Sequence, residues 1–187
     1  MTTTRSNTTR SNTTRYDTWM LKTMNDARTK RYHATRRARR RIVAAHIAAT
    51  AVAAAGMVTP LAVSSPWPLV ALLVAGLAWI PLMGLLNSMT RGLLELRPRV
   101  LDERQLAERG TVHALAYRIS SSVMAAALLG FYAAWLTGAG LDALAAPLAT
   151  AGFGLLVLHW LLPHWIAALR VQDEPEDDEP WAAPDPT

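Results

Sequence analysis

The sequence predicts an all-α, polytopic membrane protein whose four transmembrane helices are arranged as two hairpins. Two uncharged runs lead to this fold class. Residues 42–90 contain no Asp, Glu, Lys or Arg, and a second run covers residues 119–141 and resumes after Asp142 as far as residue 169. Crossing a hydrocarbon core of roughly 30 Å takes about 20 predominantly apolar residues. In lipid, stretches of this length can pair their backbone groups internally only as helices.

The first hairpin is predicted to consist of spans at about 42–63 and 67–89. Between them lies Ser-Ser-Pro-Trp-Pro at 64–68, where two prolines remove backbone donors and disfavour helix in the residue before each. Alanine occupies nine of residues 42–64, so this span gains little transfer energy and is expected to insert together with the second. The alternative is a signal peptide cleaved near residues 53–55, although 41 residues are long for the segment that precedes its apolar part.

The second hairpin is predicted to consist of spans at about 112–136 and 143–169, with the bend at Thr-Gly-Ala-Gly, residues 137–140. A loop at 90–111 connects the two hairpins. Within it, Asp102 followed by Gln105 matches a capping box, which marks the start of a helix. We expect this helix to run unbroken into the third span despite the cost of Gly110.

The positions of the arginines predict the orientation of the chain. Basic residues accumulate on the cytoplasmic side of membrane proteins. Arginines crowd residues 36–41 and recur at positions 91, 97, 99, 104 and 109, whereas the turns at 64–68 and 137–142 contain none. The prediction is therefore a multi-pass protein of the bacterial cytoplasmic (inner) membrane with both termini in the cytoplasm.

Two polar segments flank the predicted transmembrane domain, 42–169. Residues 1–41 form a basic arm with twelve of the nineteen Lys and Arg residues; its pentapeptide repeat predicts disorder, and a periodic apolar stripe from about Asp17 predicts an amphipathic helix on the lipid surface. Residues 170–187 form an acidic tail that is predicted to be disordered.

The basic arm also carries the predicted contacts with anionic partners. Such residues attract anionic lipid and bind nucleic acid non-specifically, in a salt-dependent manner; the alternative is that they act only as a topology signal. The candidate residues are Arg28, Lys30, Arg31, Arg36, Arg37, Arg39, Arg40 and Arg41.

Few polar side chains lie within the predicted spans. Arg118, His159 and His164 are the intramembrane candidates, because polar groups at this depth are expensive and often functional. The stem of Arg118 could instead carry its charge to the surface. The histidines are five residues apart, roughly 140° around a helix, whereas chelating pairs at i and i+4 share a face. Hydrogen bonding and packing therefore explain them better than ligation of a metal or haem.

The sequence offers little for catalysis. It has no cysteine, so thiol nucleophiles and Cys-ligated metal sites are excluded. The common catalytic motifs are absent, and the spans lack the carboxylates of a proton-coupled carrier. No enzyme activity, cofactor or metal is predicted.

The segment Leu-Asp-Glu-Arg-Gln at 101–105, followed by Tyr-Arg-Ile at 117–119, resembles a pattern in small multi-pass membrane proteins of high-GC (actinobacterial) bacteria. The resemblance implies a membrane location in such a bacterium. It implies no activity and assigns no role to a residue.

These observations favour a non-enzymatic integral membrane protein that acts by assembly or by recruiting cytoplasmic partners. A narrower version is an accessory protein of a mobile element or of plasmid transfer whose arm touches DNA. The expected partners are a bilayer with anionic lipids, further copies of the chain or another membrane protein, and nucleic acid at the arm. The alternative is a small transporter, channel or holin-like pore in which oligomers surround a water path.

Overall fold

A computed structural model describes residues 18, 19, 22, 32–59 and 64–171. Four long helices make up most of this part of the chain: α1 (Arg36–Val58), α2 (Trp67–Met89), α3 (Glu103–Leu136) and α4 (Leu141–Arg170), with a short 3-10 helix at Pro98–Val100. All four long helices have the length and apolar composition needed to cross a membrane. The predicted all-α, multi-pass fold class is therefore confirmed.

Helix α1 begins six residues before the predicted span. Thr35 is its N-cap, and the Thr35 side chain accepts a hydrogen bond from the backbone N–H of Ala38 at 3.2 Å. The cap places the arginines of residues 36–41 inside the first two turns of the helix rather than ahead of it. Residues 60–63, which were predicted to complete the first span, lie outside the described residues.

Helix α3 is longer than a bilayer requires. Its 34 residues correspond to about 51 Å at 1.5 Å per residue, roughly 20 Å more than the hydrocarbon core. The predicted capping box is present, since the Gln105 N–H donates to Asp102 Oδ1 at 2.7 Å and the Asp102 N–H donates to Gln105 Oε1 at 3.1 Å. The prediction that a capped loop helix continues into the third span is confirmed.

The helices pair along the chain, α1 with α2 and α3 with α4, and α4 also packs on α1 and α2. Within the first hairpin, α1 and α2 approach closely at Gly56, where an added Cβ would lie 2.6 Å from the Pro68 carbonyl oxygen. A Cβ on Gly76, Gly84 or Gly130 would meet nothing within 4 Å. These three glycines are thus not points of close approach between the described helices.

The buried core lies at one end of the bundle, which we call the arginine-rich end because α1 begins there with its arginines. One cluster of buried side chains comprises Val43, Leu86, Met89, Leu161, Trp165 and Ala168, and a second comprises Val112, Ala116, Ile166 and Ala167. In contrast, the most apolar window of α4 contains no buried residue. Protein therefore packs against protein mainly at this end, and the remaining apolar surface is left for lipid.

The connection between the hairpins folds back onto this core. After α2 the chain reverses through Arg91 and Gly92, which have φ angles of 51° and 72°, a left-handed conformation that glycine adopts without strain. Leu96 and Leu101 are buried, and Arg109 of α3 donates to the Leu96 carbonyl at 2.8 Å. The connection is thus fixed to the amino-terminal turns of α3, the part by which this helix exceeds the bilayer thickness.

Most of the predicted terminal segments lie outside the described residues. Thr18, Trp19 and Lys22 are helical and belong to the stretch for which the apolar stripe predicts an amphipathic helix. The rest of that stretch, the repeat before it and the acidic residues after Val171 are not described, so the predictions made for them stay predictions.

Candidate functional site

The most elaborate polar arrangement of the described chain surrounds His46, near the arginine-rich end. His46 lies five residues beyond Arg41, the last of the α1 arginines, and is completely buried. Trp165 of α4 donates its indole N–H to His46 Nδ1 at 3.0 Å. The His46 ring lies 5.1 Å from the Trp79 ring of α2, centroid to centroid. His46 therefore connects three of the four helices.

A second hydrogen bond extends this arrangement by one turn of α1. Trp79 donates its indole N–H to Thr50 Oγ1 at 3.1 Å, and the Thr50 hydroxyl donates to the His46 carbonyl at 2.8 Å. Both tryptophans thus satisfy their N–H groups inside the bundle, as buried indoles usually do. We call His46, Thr50, Trp79 and Trp165 the His46 cluster.

The partners of His46 determine its tautomer. An indole N–H can only donate, so Nδ1 must present a lone pair, and in the neutral ring the hydrogen resides on Nε2. Nε2 is buried and has no partner among the described residues. Binding a metal there would require a lone pair that this tautomer lacks. Among the described residues, no three or more His, Cys, Asp or Glu side chains are grouped so that they could hold a metal ion. The contacts that His46 makes are hydrogen bonding and ring packing.

His164 connects α4 to the loop after α2. Its Nε2 lies 3.3 Å from Glu95 Oε1, and 9% of the residue is exposed. Its Nδ1 is buried without a partner among the described residues. The contact is a hydrogen bond with a neutral ring and an ion pair with a protonated one. In either case it joins the inter-hairpin connection to the last turns of α4.

The predicted intramembrane candidates do not come together. His159 is exposed and its Nδ1 lies 2.9 Å from the Ser120 hydroxyl of α3, whereas His164 is buried against Glu95. The two histidines therefore contact different elements, in keeping with the angle expected between them. Arg118 is exposed on α3. If Leu136 marks one edge of a 30 Å core, a rise of 1.5 Å per residue places Arg118 close to the other edge.

The described cations of the predicted anionic contact surface fall into two groups. Arg39 is only 3% exposed and donates to the carbonyls of His33 at 3.2 Å, Ala34 at 3.3 Å and Val171 at 3.0 Å. It acts as a structural tie between the start of α1 and the end of α4. The others, which we call the α1 arginine patch, are exposed: Arg36, Arg37, Arg40 and Arg41. Arg28, Lys30 and Arg31 lie outside the described residues.

An ion pair closes the arginine-rich end between α3 and α4. Arg170 donates to Glu108 at 2.6 Å through Nε and at 3.3 Å through Nη2. The hydrogen bond from Arg170 holds the pKa of Glu108 below its ordinary value, and Glu108 in turn raises the pKa of Arg170. Arg104 lies four residues before Glu108 on α3, a spacing at which such side chains can pair along a helix. The structure shows that Glu108 pairs with Arg170 instead, because the end of α4 packs beside the amino-terminal turns of α3.

Sequence reasoning did not identify the His46 cluster or the role of Glu95. The partners His46 and Trp165 are 119 positions apart, so no local motif contains them. A usable signal was present in composition, because His46 and Trp79 are among the few side chains with polar hydrogen-bonding groups in the long uncharged run.

Comparisons with known proteins add no relative. No family model matches the chain, and no curated protein or solved structure matches it significantly.

Proposed function

We propose that this chain is a non-enzymatic membrane protein that recruits anionic partners to the cytoplasmic face of a bacterial inner membrane. The partners have a shared chemistry, phosphate groups carried on a polyanion, as in nucleic acid or a sheet of anionic lipid headgroups. The α1 arginine patch, with the basic arm before it, supplies the contacts. An accessory role in plasmid transfer or for a mobile element is the version in which the polyanion is DNA.

One observation carries this proposal. The folded core, the ion pair and the tie made by Arg39 are all concentrated at the end of the bundle that presents the exposed arginines. At lipid depth the helices offer mostly apolar surface, and the apolar window of α4 has no buried residue. A packed, positively charged end on apolar membrane-spanning helices suits recruitment of a partner better than passage of a solute.

The orientation in the proposal follows from the arginines. Lys and Arg near span ends favour the cytoplasmic side, and the arginine-rich end also carries the loop cations Arg97 and Arg99, both exposed. The start of α1 and the end of α4 would then both face the cytoplasm. A reporter inserted at Ser64, in the connection between α1 and α2, would be reached by membrane-impermeant reagents from outside intact cells.

Recruitment is tested with purified protein in proteoliposomes and a fluorescent 20-base-pair DNA duplex. We expect the duplex to float with the vesicles at 50 mM salt and to be released by 200 mM salt, because binding through phosphates displaces counterions. Replacing the α1 arginine patch with glutamine should reduce the bound DNA about tenfold or more at the lower salt. The matched control is R97Q with R99Q, which removes exposed charge from the connection.

The same preparation separates the two sources of phosphate. Vesicles of phosphatidylcholine and vesicles containing phosphatidylglycerol are compared by the protection of the patch from arginine-modifying reagents. Protection by phosphatidylglycerol without DNA flotation identifies lipid as the partner. If DNA floats equally well with the patch variant and with the control, and phosphatidylglycerol protects nothing, the recruitment proposal is wrong.

A pore is the second candidate, and exposed polar groups on α3 favour it. Tyr117, Arg118 and Ser122 are exposed near the arginine-rich end of this helix, where an oligomer could place them around water. The open cleft between α1 and α4, of about 290 Å³, gives little support because its threonine hydroxyls donate back to their own helices. Release of a trapped dye or of protons from proteoliposomes, abolished by R118L, would favour the pore over recruitment.

A further inference from the structure

The described chain ends beside its own arginines. Val171 is the last described residue, and its carbonyl accepts the hydrogen bond from Arg39 at 3.0 Å. Two positions later the sequence becomes strongly acidic, with six carboxylates among residues 173–179: Asp173, Glu174, Glu176, Asp177, Asp178 and Glu179. We call residues 173–179 the acidic segment. The structure thus fixes its point of attachment at the first turns of α1.

The geometry of α1 separates the arginine that holds this junction from those that remain exposed. At 100° per residue, Arg39 shares a face with the buried residues Val43 and His46, all within an arc of about 60°. The four members of the α1 arginine patch occupy an arc of about 140° on the other side, and all are exposed. No side-chain hydrogen bond or ion pair links these four arginines to another described residue. The patch is therefore a positively charged surface next to the point where the acidic segment begins.

We propose that the acidic segment docks on the α1 arginine patch of its own chain and competes there with anionic partners. The role as competitor rests on the recruitment function proposed above, whereas the docking does not. The acidic segment carries charge of the opposite sign to that of the patch. It has six carboxylates, and the patch has four guanidinium groups that lie within two turns of one helix.

The distances allow this docking without rearrangement of the helices. From residue 36 to residue 41 the helix rises about 7.5 Å. A chain extends by at most about 3.3 to 3.6 Å per residue, so the acidic segment has a maximum reach of about 25 Å. The linker between Val171 and Asp173 is a single residue, Gln172. The segment can therefore cover the whole patch while the hydrogen bond from Arg39 to the Val171 carbonyl is kept.

Tethering makes the contact effective in spite of salt. At physiological ionic strength charges more than about 8 Å apart are largely screened, so a tail held at a distance would contribute little. A short flexible connection gives an effective concentration of the order of millimolar, and guanidinium groups bind carboxylates through paired hydrogen bonds at contact distance. An external polyanion must displace these contacts before it can use the same arginines.

Zero-length cross-linking tests the docking independently of any partner. A carbodiimide joins a lysine amine to a carboxylate only when the two groups touch, and arginine does not react. The full-length protein in phosphatidylcholine proteoliposomes is prepared with R37K, R40K and R41K, and a matched variant carries R97K and R99K in the connection. We expect intramolecular links from the three patch lysines to residues 173–179, strongly reduced at 1 M salt, and at least fivefold fewer links in the matched variant.

Three outcomes of the cross-linking would overturn the proposal. Equal yields in the two lysine variants would show unspecific contact along the charged surface. Links found only in dimers would assign the acidic segment to another copy. Absence of these links in the phosphatidylcholine bilayer, where no anionic lipid competes for the patch, would show that the acidic segment does not dock there.

Competition is tested by neutralising the acidic segment with D173N, E174Q, E176Q, D177N, D178N and E179Q. The control exchanges Asp for Glu and Glu for Asp at the same positions and so keeps the charge. We expect the neutral variant to bind the DNA duplex at least threefold more tightly than both the control and the unmodified chain. Equal affinities among binding-competent proteins would overturn the competition. If none of the three binds DNA but the patch links are present, the docking stands and DNA recruitment fails.

Discussion

His46 shows how a membrane helix can bury an imidazole without charging it. The indole of Trp165 can only donate, and it occupies Nδ1 at 3.0 Å, so the ring cannot accept a proton at that nitrogen while the bond persists. The neighbouring Trp79 covers one side of the ring at a centroid distance of 5.1 Å. The residue is thereby kept neutral and used as a structural junction between α1, α2 and α4.

The first prediction concerns this hydrogen bond. W165F removes the donor and leaves His46 Nδ1 buried without a partner, which costs about 1 to 3 kcal/mol. W160F is the matched control, because Trp160 is 60% exposed and its indole makes no hydrogen bond to a described residue. The free energy of unfolding, measured by denaturant titration in mixed micelles, should fall clearly more for W165F than for W160F. Equal losses would mean that ring packing, not the bond, stabilises the junction.

A second residue-scale prediction concerns the ion pair between Glu108 and Arg170. The folded state lowers the pKa of Glu108 below its ordinary value of 4.5, so the pair contributes stability at pH values above 4.5. This contribution is lost as the pH falls through the lowered pKa. Because both side chains are about 40% exposed, the effect is small. E108Q should therefore reduce the difference in melting temperature between pH 7 and pH 3, whereas E103Q should leave it unchanged, because Glu103 forms no ion pair with another described residue.

At the scale of elements, the two hairpins are built differently. The first is close-packed at Gly56, where the Pro68 carbonyl and the Leu72 side chain leave no room for a Cβ. The second has no such close approach at Gly130, Gly152 or Gly154, and its helices meet in the cluster of Val112, Ala116, Ile166 and Ala167. α4 is packed instead near its carboxyl end, at the arginine-rich end of the bundle, where residues 161–168 are almost all buried against the other helices.

The third prediction follows from the packing of the first hairpin. G56A places a methyl group 2.6 Å from a backbone oxygen that cannot rotate away, so α1 and α2 must separate at a cost of about 1 to 3 kcal/mol. G76A is the control, since its methyl group would meet nothing within 4 Å and the helix loses an unfavourable glycine. Mixed-micelle unfolding should show a loss for G56A and none for G76A. A loss for G76A alone would place the close packing farther along α2, near Gly76, and not at Gly56.

For the molecule as a whole, the sequence predicts the elements well and their mutual arrangement poorly. Transfer of a residue into lipid depends mainly on that residue, so the uncharged runs locate the helices. The capping box at Asp102 is a local interaction and could be recognised for the same reason. The rotation of each helix about its own axis could not be predicted in this way, because helices that are apolar on every side carry no stripe to orient them. Contacts such as Trp165 to His46 depend on that rotation and were not predictable.

The arrangement also divides the molecule into a packed end and a lipid-exposed end. The hydrophobic effect drives burial where water is the alternative, while lipid tails solvate apolar side chains as well as other side chains do. The buried clusters accordingly lie at the arginine-rich end, where α3 and α4 exceed the bilayer thickness. Leu156 of α4 is 66% exposed, whereas Ala167, eleven residues later, is 3% exposed.

This division gives a prediction about lipid contact. Because the chain has no cysteine, a single one can be introduced for a nitroxide label. Labels at L148C and L156C should collide frequently with dissolved oxygen, which concentrates in the hydrocarbon, and rarely with a water-soluble nickel complex. A label at A167C should be sheltered from both, since the second buried cluster encloses Ala167. L128C on α3, where Leu128 is 57% exposed, serves as a second lipid-facing reference. Sheltering of the α4 labels with exposure at L128C would show that a second copy covers α4, and nickel access along α4 would instead indicate the water path of a pore.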